Sequence, residues 1–333
     1  MSDIDAVLEA LNARIDTPQN DEDLAMALTQ RAAVYTAQGN LPGAEHDLKY
    51  ASDAWFRLNR PAEHGRSEFA RARLIAQADP RLAADFFRRA AALSRTGGDA
   101  EFEVKSREGI AAVLGSLEDY EGALAETQAL AMRLQELGDL KALAQNLRSQ
   151  ATLLQVLGRP NKALKAFDEA VSIAQAAGFD ALALETRIER RGQVSFTVHP
   201  DREPLDALVA EAERLEMPTL ESRARLQLAS EQVRNGDLTG AARTAEEARQ
   251  VALEKVQPVV YLMACITLAE IREKQGDLPG VLQILLTCKK TLEQHLGPAA
   301  GRGLVHLLDA AEARWGPETT QAALQEYRRR VSR

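Results

Sequence analysis

Five histidines, two cysteines and a few adjacent carboxylates are the residues of this sequence most suited to chemistry, and their spacing gives them no partners. His46, His64, His199, His295 and His306 are scattered. No two share an i, i+4 helical face with a carboxylate, as a histidine-held metal site would need. Paired acids such as Glu246 and Glu247 fall within amphipathic runs and read as solvent-facing, not as a general acid and base. No glycine-rich loop follows a strand, so nothing cradles a phosphate. Cys265 and Cys288 lack metal-ligand spacing and are too few for a disulfide framework. They take apolar places in one helical pair and read as buried thiols, with a redox pair as the alternative. The sequence therefore predicts no catalysis, no metal and no cofactor, and function has to come from a surface.

Composition limits what that surface can be. Of the 333 residues 45% are hydrophobic but only 5% aromatic, so packing must come from Ala and Leu, and the abundance of helix formers points to an all-α chain. The net charge of −8 argues against wholesale nucleic-acid binding, which needs a dense basic face. Asp3, Asp5, Glu9 and Asp16 stand where a secretory signal would be basic and then apolar. The most apolar stretch, Val259 to Ala269, is too short for a membrane span of roughly 20 residues. A soluble, cytoplasmic protein is expected.

Those residues are positioned by a repeat of about 40 residues, a period that signals stacked helical units. Its unit is clearest in Gly158-Arg159-Pro160-Asn161-Lys162-Ala163, and the same glycine-to-small-residue spacing returns at Gly39/Ala44, Gly236/Ala241 and Gly276/Val281. Asp79/Ala84 and Glu118/Ala123 keep the spacing without the glycine. Seven residues before each turn stand Ala32, Ala72, Ala111, Ala151, Ala229 and Ala269. Twelve residues after it stand Ala51, Ala91, Leu130, Ala170, Ala248 and Cys288. Small side chains there let helices approach to roughly 8 to 10 Å.

This pattern resembles the tetratricopeptide repeat (TPR) family, most closely in Ala151, Gly158, Ala163, Phe167 and Ala170 and again in Ala32, Tyr35, Gly39, Ala44 and Ala51. The family's Trp early in the first helix is missing and its Pro after the second is mostly absent, which with the long period implies helices about one turn longer than usual. The resemblance implies a right-handed α-α superhelix of about eight helical hairpins. Residues 1–20 are expected to form an N-terminal capping helix, 21–297 a TPR-like array of seven hairpins, and 298–333 a C-terminal capping hairpin. The fifth repeat is irregular: Ser195 to Pro204 replaces the tight turn, and its second helix stops at Met217-Pro218, reading as a bend or as a place where something is bound. The closing Arg328, Arg329 and Arg330, with Arg333, read as a solvated helix end.

The resemblance also implies that the first helix of each hairpin lines the concave side, at positions thirteen, ten and six residues before the turn. These hold Arg66, Phe69 and Arg73, then Lys105, then Gln145, Arg148 and Thr152. In the fifth repeat they are Arg187, Arg190 and Val194, followed by Arg223, Leu226, Met263, Ile266 and Glu270. Arginine suits carboxylates because its planar fork makes two parallel hydrogen bonds. The expectation is a non-enzymatic scaffold binding another protein or an acidic peptide segment along this arginine-lined groove, with an apolar strip of Leu226, Met263 and Ile266. The structural alternative is that these arginines pair with glutamates of the next repeat. The family's two-carboxylate clamp is absent in this register, since Thr29, Ala33 and Gly109 stand at its places, so no Hsp70 or Hsp90 co-chaperone is predicted. The rival function is a regulatory module of bacterial signal-responsive type, which senses a ligand or peptide and changes the superhelix pitch around the fifth repeat. Val281, Leu282, Leu285 and Leu286 read either as a self-association face or as dense packing.

Overall fold

Successive helices are separated by one recurring device, a residue of positive φ followed by a helix cap. Gly98, Glu118, Gly138 and Gly158 stand 20 residues apart in this conformation, as do Glu216, Gly236, Val256 and Gly276. In the next position Asn40 accepts from the Gly43 amide, Asp119 from Gly122 and Asp139 from Ala142, and Asp79 caps Leu82 in the same way without a positive-φ residue before it. Asp237 and Asp277 do the same for Gly240 and Gly280. Each bond satisfies an amide that a helix start leaves bare, worth about 1 kcal/mol. Several other helices begin on Pro61, Pro160, Pro218 or Pro258, whose missing N–H costs nothing in the first turn.

The computed structural model describes residues 3–194 and 203–332. Ser2, the segment 195–202 with His199, the side chain of Val194, and Arg333 lie outside the described residues. The chain divides into two compact units, Met1–Ala177 and Gly178–Arg333. The first holds α1 (Asp3–Asp16) and four hairpins: α2 (Asp21–Ala37) with α3 (Leu41–Arg57), α4 (Pro61–Ile75) with α5 (Pro80–Thr96), α6 (Ala100–Ser116) with α7 (Tyr120–Leu137), and α8 (Leu140–Val156) with α9 (Pro160–Ala176). The second holds α10 (Asp180–Val194) with α11 (Leu205–Arg214), α12 (Pro218–Arg234) with α13 (Leu238–Glu254), α14 (Pro258–Lys274) with α15 (Leu278–Leu296), and α16 (Arg302–Trp315) with α17 (Pro317–Val331). A 3-10 turn, Pro298–Gly301, precedes α16. The described residues contain no strand, and their eight hairpins match the all-α expectation.

The small residues at fixed offsets from each turn are where the helices meet. Ala32, Ala72, Ala151 and Ala229 are buried, as are Ala44, Ala84, Ala123, Ala163 and Ala241, and Ala51, Leu130, Ala170, Ala248 and Cys288. Ala111 breaks the rule and is only half-buried. In the first unit Phe167 closes a cluster with Leu124, Ala151 and Leu154, taking the aromatic place that the repeat pattern assigns it.

Two expectations change, and the N-terminal capping helix packs lightly. Val281, Leu282 and Leu285 are buried and Leu286 is half-buried, so these residues pack the seventh hairpin and offer no self-association face. On α1 only Leu11 is buried, while Ile4 and Val7 stay exposed. Arg330 is not simply solvated: it ties α17 to the α15 cap through Asp277 Oδ1 at 2.8 Å.

Candidate functional site

In the first unit, α4, α5 and α6 bring three rings and three cations together. Phe69 meets Phe87 edge-on at 5.6 Å between centroids and Phe102 at 5.3 Å. Gly109 makes room for this on α6, since a Cβ there would stand 2.6 Å from the Phe87 ring. The Arg66 guanidinium lies 5.1 Å from the Phe102 centroid, Lys105 Nζ 4.9 Å from it, and Arg73 lies 6.0 Å from Phe69. Such contacts contribute about 0.5–1 kcal/mol each at an exposed site and hold a cation in place without neutralising it. Arg66 also binds Asp99 at 2.7 Å and Lys105 binds Glu101. Arg73, exposed, has no carboxylate partner among the described residues.

Beyond this cluster the wall opens into a cleft of about 500 Å³ between α6, α7 and α8. Ala111, Ala112 and Gly115 form its α6 side, Thr127 and Leu130 come from α7, and Gln145, Asn146, Ser149, Thr152 and Leu153 line the α8 side. Missing side-chain volume makes the cleft, which explains the partial exposure of Ala111. Glu108 sits at its mouth, where the surrounding protein raises its carboxyl above the usual range and Lys105 partly offsets the rise. Gln145 and Thr152 line this one cavity together, while Arg148, half-buried, is engaged in a contact of its own. Sequence reasoning missed Phe102 and Glu108. Glu108 stands ten residues before Glu118, the register already used for Phe69 and Arg148, so the spacing pointed to it.

No protein-family model matches the chain, and no curated protein matches it in sequence. Solved structures do. A signal transduction ATPase with numerous domains (STAND) protein with a tetratricopeptide repeat sensor, from Pyrococcus horikoshii, superposes with a TM-score of 0.62 at 15% identity, over 90% of this chain and 48% of that one. Yeast Tom70 gives 0.51 at 14% identity, over 93% of this chain and 60% of that one. The fold is TPR-like. This chain spans about half the length of the first of these proteins and 60% of the second.

In the second unit the same register gives a different result, because the TPR-like hairpins use their arginines as ties. Arg187 bonds Glu203 and, at 2.7 Å, Glu211. Arg223 reaches from α12 to Glu185 at 3.2 Å and Glu189 at 3.3 Å on α10. Buried Arg191 holds Glu231 and the Glu203 carbonyl, and Arg190 is likewise engaged. Leu226 is only 8% exposed and packs with Ala248 and Ala264, so it belongs to the core rather than to an apolar strip. Met263 remains exposed, and Ile266 is half-buried beside Leu307 and Ala311 of α16. A polar cavity of about 360 Å³ lined by Arg249, Arg272 and Arg330 has its own counter-charges in Glu246 and Asp277. Among the described residues no group of three or more His, Cys, Asp or Glu could hold a metal, and no helix is long and apolar enough to cross a membrane.

Proposed function

We propose that this chain is a non-enzymatic protein- or peptide-binding scaffold whose contact wall, in the first unit, runs over α4, α6 and α8. The observation that carries this reading is the junction between the cleft lined by Gln145 and Thr152 and a cation set: exposed Arg73, with Arg66 and Lys105, whose surface pairs with Asp99 and Glu101 an acidic segment can displace. The cations recognise carboxylates of an acidic segment, and the cleft takes one apolar side chain of the same segment. A wall built on packed helices is already ordered, so binding costs little conformational entropy. Arg187, Arg190 and Arg223 of the second unit have partners of their own, so the reading rests on the first unit alone.

The test is titration of a fluorescent acidic peptide carrying one aromatic residue, against wild type and an Arg66→Ala/Arg73→Ala double variant. The reading expects at least a tenfold weaker affinity in the double variant and a steep loss of wild-type binding with added salt. Equal affinity in both proteins would sink the assignment.

A second reading is a sensing module, in which a bound ligand or peptide changes the arrangement of the hairpins. It is favoured by the P. horikoshii protein, which carries a tetratricopeptide repeat sensor, and by the division of this chain at Ala177 and Gly178. Small-angle scattering with and without the peptide separates the readings: a scaffold keeps its radius of gyration.

A further inference from the structure

The polar cavity of about 360 Å³ in the second unit gathers guanidinium groups from three helices, Arg249 of α13, Arg272 of α14 and Arg330 of α17. Two carboxylates, Glu246 and Asp277, line it with them. Glu246 is engaged by Arg249 one turn further on, through Nε at 2.9 Å and through Nη2. Asp277 has more than one demand on it. Its Oδ1 accepts from the Gly280 amide at 3.1 Å, as the cap of α15, and from Arg330 Nη1 at 2.8 Å. Gly280 lets the carboxylate lie this close to the helix start, since a Cβ there would stand 2.2 Å from Oδ2. Arg272 Nη1 stands 4.0 Å from that Oδ2, too far for a hydrogen bond.

Arg272 is therefore the cation left without a matching charge. Its Nη1 donates instead to a neutral acceptor, Gln275 Oε1, at 3.2 Å, and Gln275 in turn donates to the Leu238 carbonyl at 3.0 Å, bracing the end of α14 on the start of α13. Three guanidinium groups against two carboxylates give the cavity an excess positive charge, in a chain whose net charge is −8. Its floor is α15, where Gly280, Gln283 and Thr287 follow one another on a single face. Gln283 and Thr287 are exposed, and their side chains have no hydrogen-bond partner among the described residues.

We propose that this cavity binds a small phosphorylated polyol, its phosphate received by Arg272 with Arg249 and Arg330, its hydroxyl groups by Gln283 and Thr287. A guanidinium carries five N–H donors, so Arg249 and Arg330 can hold their carboxylates and still donate to a ligand. A phosphate monoester presents three acceptor oxygens around phosphorus and can accept from groups arriving from three helices, whereas a carboxylate presents two in one plane. An amide and a hydroxyl one turn apart on α15 suit the donor and acceptor character of a polyol. The volume lies within the range of about 300–1,000 Å³ that small-molecule sites occupy. Because Arg330 belongs to α17, bound phosphate links the last hairpin to α13 and α14.

The experiment is calorimetric titration of the full chain with glycerol 3-phosphate at constant ionic strength, with inorganic phosphate, glycerol and glutamate as comparison ligands. A dissociation constant of about 1 mM is expected, the affinity that about ten non-hydrogen atoms supply, with weaker binding of inorganic phosphate and none of glycerol or glutamate. Arg272→Gln should weaken glycerol 3-phosphate at least tenfold, since it removes a charge-assisted donor. Thr287→Val should bring it down to the affinity of inorganic phosphate. Hydrogen exchange on the wild-type chain reads the place directly: the ligand should slow amides in α15 and α17 and leave α4 and α6 unchanged. That measurement decides even if a variant fails to fold. Absence of saturable binding, equal affinity in Arg272→Gln, glutamate binding as tightly as glycerol 3-phosphate, or protection in the first unit overturns the proposal. Tighter binding of a phosphoserine peptide would place the phosphate on a protein and overturn the small-molecule assignment.

Discussion

Arg31 holds Asp47 with both arms of its guanidinium, Nε to Oδ2 at 2.7 Å and Nη2 to Oδ1 at 2.8 Å, joining α2 to α3. Asp47 is 1% exposed, so its carboxylate relies on this partner for what water would otherwise give. Arg31→Met leaves a buried carboxylate without its cation and should cost about 3 kcal/mol of stability in urea denaturation. Adding Asp47→Leu should recover most of that loss, because removing both charges removes the unmet need for solvation. A double variant as unstable as the single one would show that the pair does more than satisfy a buried charge.

Trp315 Nε1 donates to Glu273 Oε1 at 2.6 Å and Arg314 Nη2 reaches Oε2 at 3.0 Å, so α16 is fastened to α14. Burial alone would raise the Glu273 carboxyl, but the hydrogen bonds from Arg314 and Trp315 outweigh it and hold the group below its ordinary value. A carboxylate lowered on folding stabilises the native state above its unfolded pKa, and that contribution disappears as pH falls through the folded one. Trp315→Phe should therefore cost about 1 kcal/mol at pH 7 and progressively less below pH 4.5. Thermal melts of both proteins across that window measure it.

Val256 occupies a turn with φ of 53° and is 72% exposed. For a β-branched residue this left-handed conformation is strained, since its Cβ crowds the neighbouring carbonyl. Glycine fills the matching position at Gly236 and Gly276. Val256→Gly should raise stability by about 1 kcal/mol despite the greater freedom it gives the unfolded chain. A lower melting temperature would refute the strain.

These turns also show what was legible beforehand. The 40-residue period was read from Gly39, Gly158, Gly236 and Gly276, which all adopt positive φ. The underlying step is 20 residues, marked by glycine at Gly98, Gly138 and Gly178 but interrupted where Asn59, Glu216 and Val256 adopt the same φ without being glycine. Backbone conformation there is set by the packing of the helices on either side, which composition does not display. The alanine offsets were readable because close approach leaves only small residues as solutions. The binding wall was less so: register placed Arg66, Phe69 and Arg73 on one face but carried no information on which arginines would be met by glutamates. Arg66 and Arg223 both stand thirteen residues before their turns, yet Arg66 meets Asp99 of the next hairpin while Arg223 reaches back to Glu185 and Glu189 of the preceding one.

Gly115 offers the sharpest separation of binding from stability. It lies inside α6 on the wall of the cleft, and a Cβ added there meets nothing within 4 Å. Glycine in a helix costs up to about 1 kcal/mol relative to alanine, and part of that applies in the last turn, where Gly115 stands. Gly115→Ala should therefore raise stability and leave peptide affinity nearly unchanged. Gly115→Leu should keep much of the helix gain while its side chain fills the space that an apolar anchor would take. Affinity for the aromatic-bearing acidic peptide should then fall at least tenfold, and affinity for an all-acidic peptide lacking the anchor should change little, because Arg66, Arg73 and Lys105 lie outside the cleft. Equal losses for both peptides would mean that the cleft does not receive a side chain and that charge alone accounts for binding.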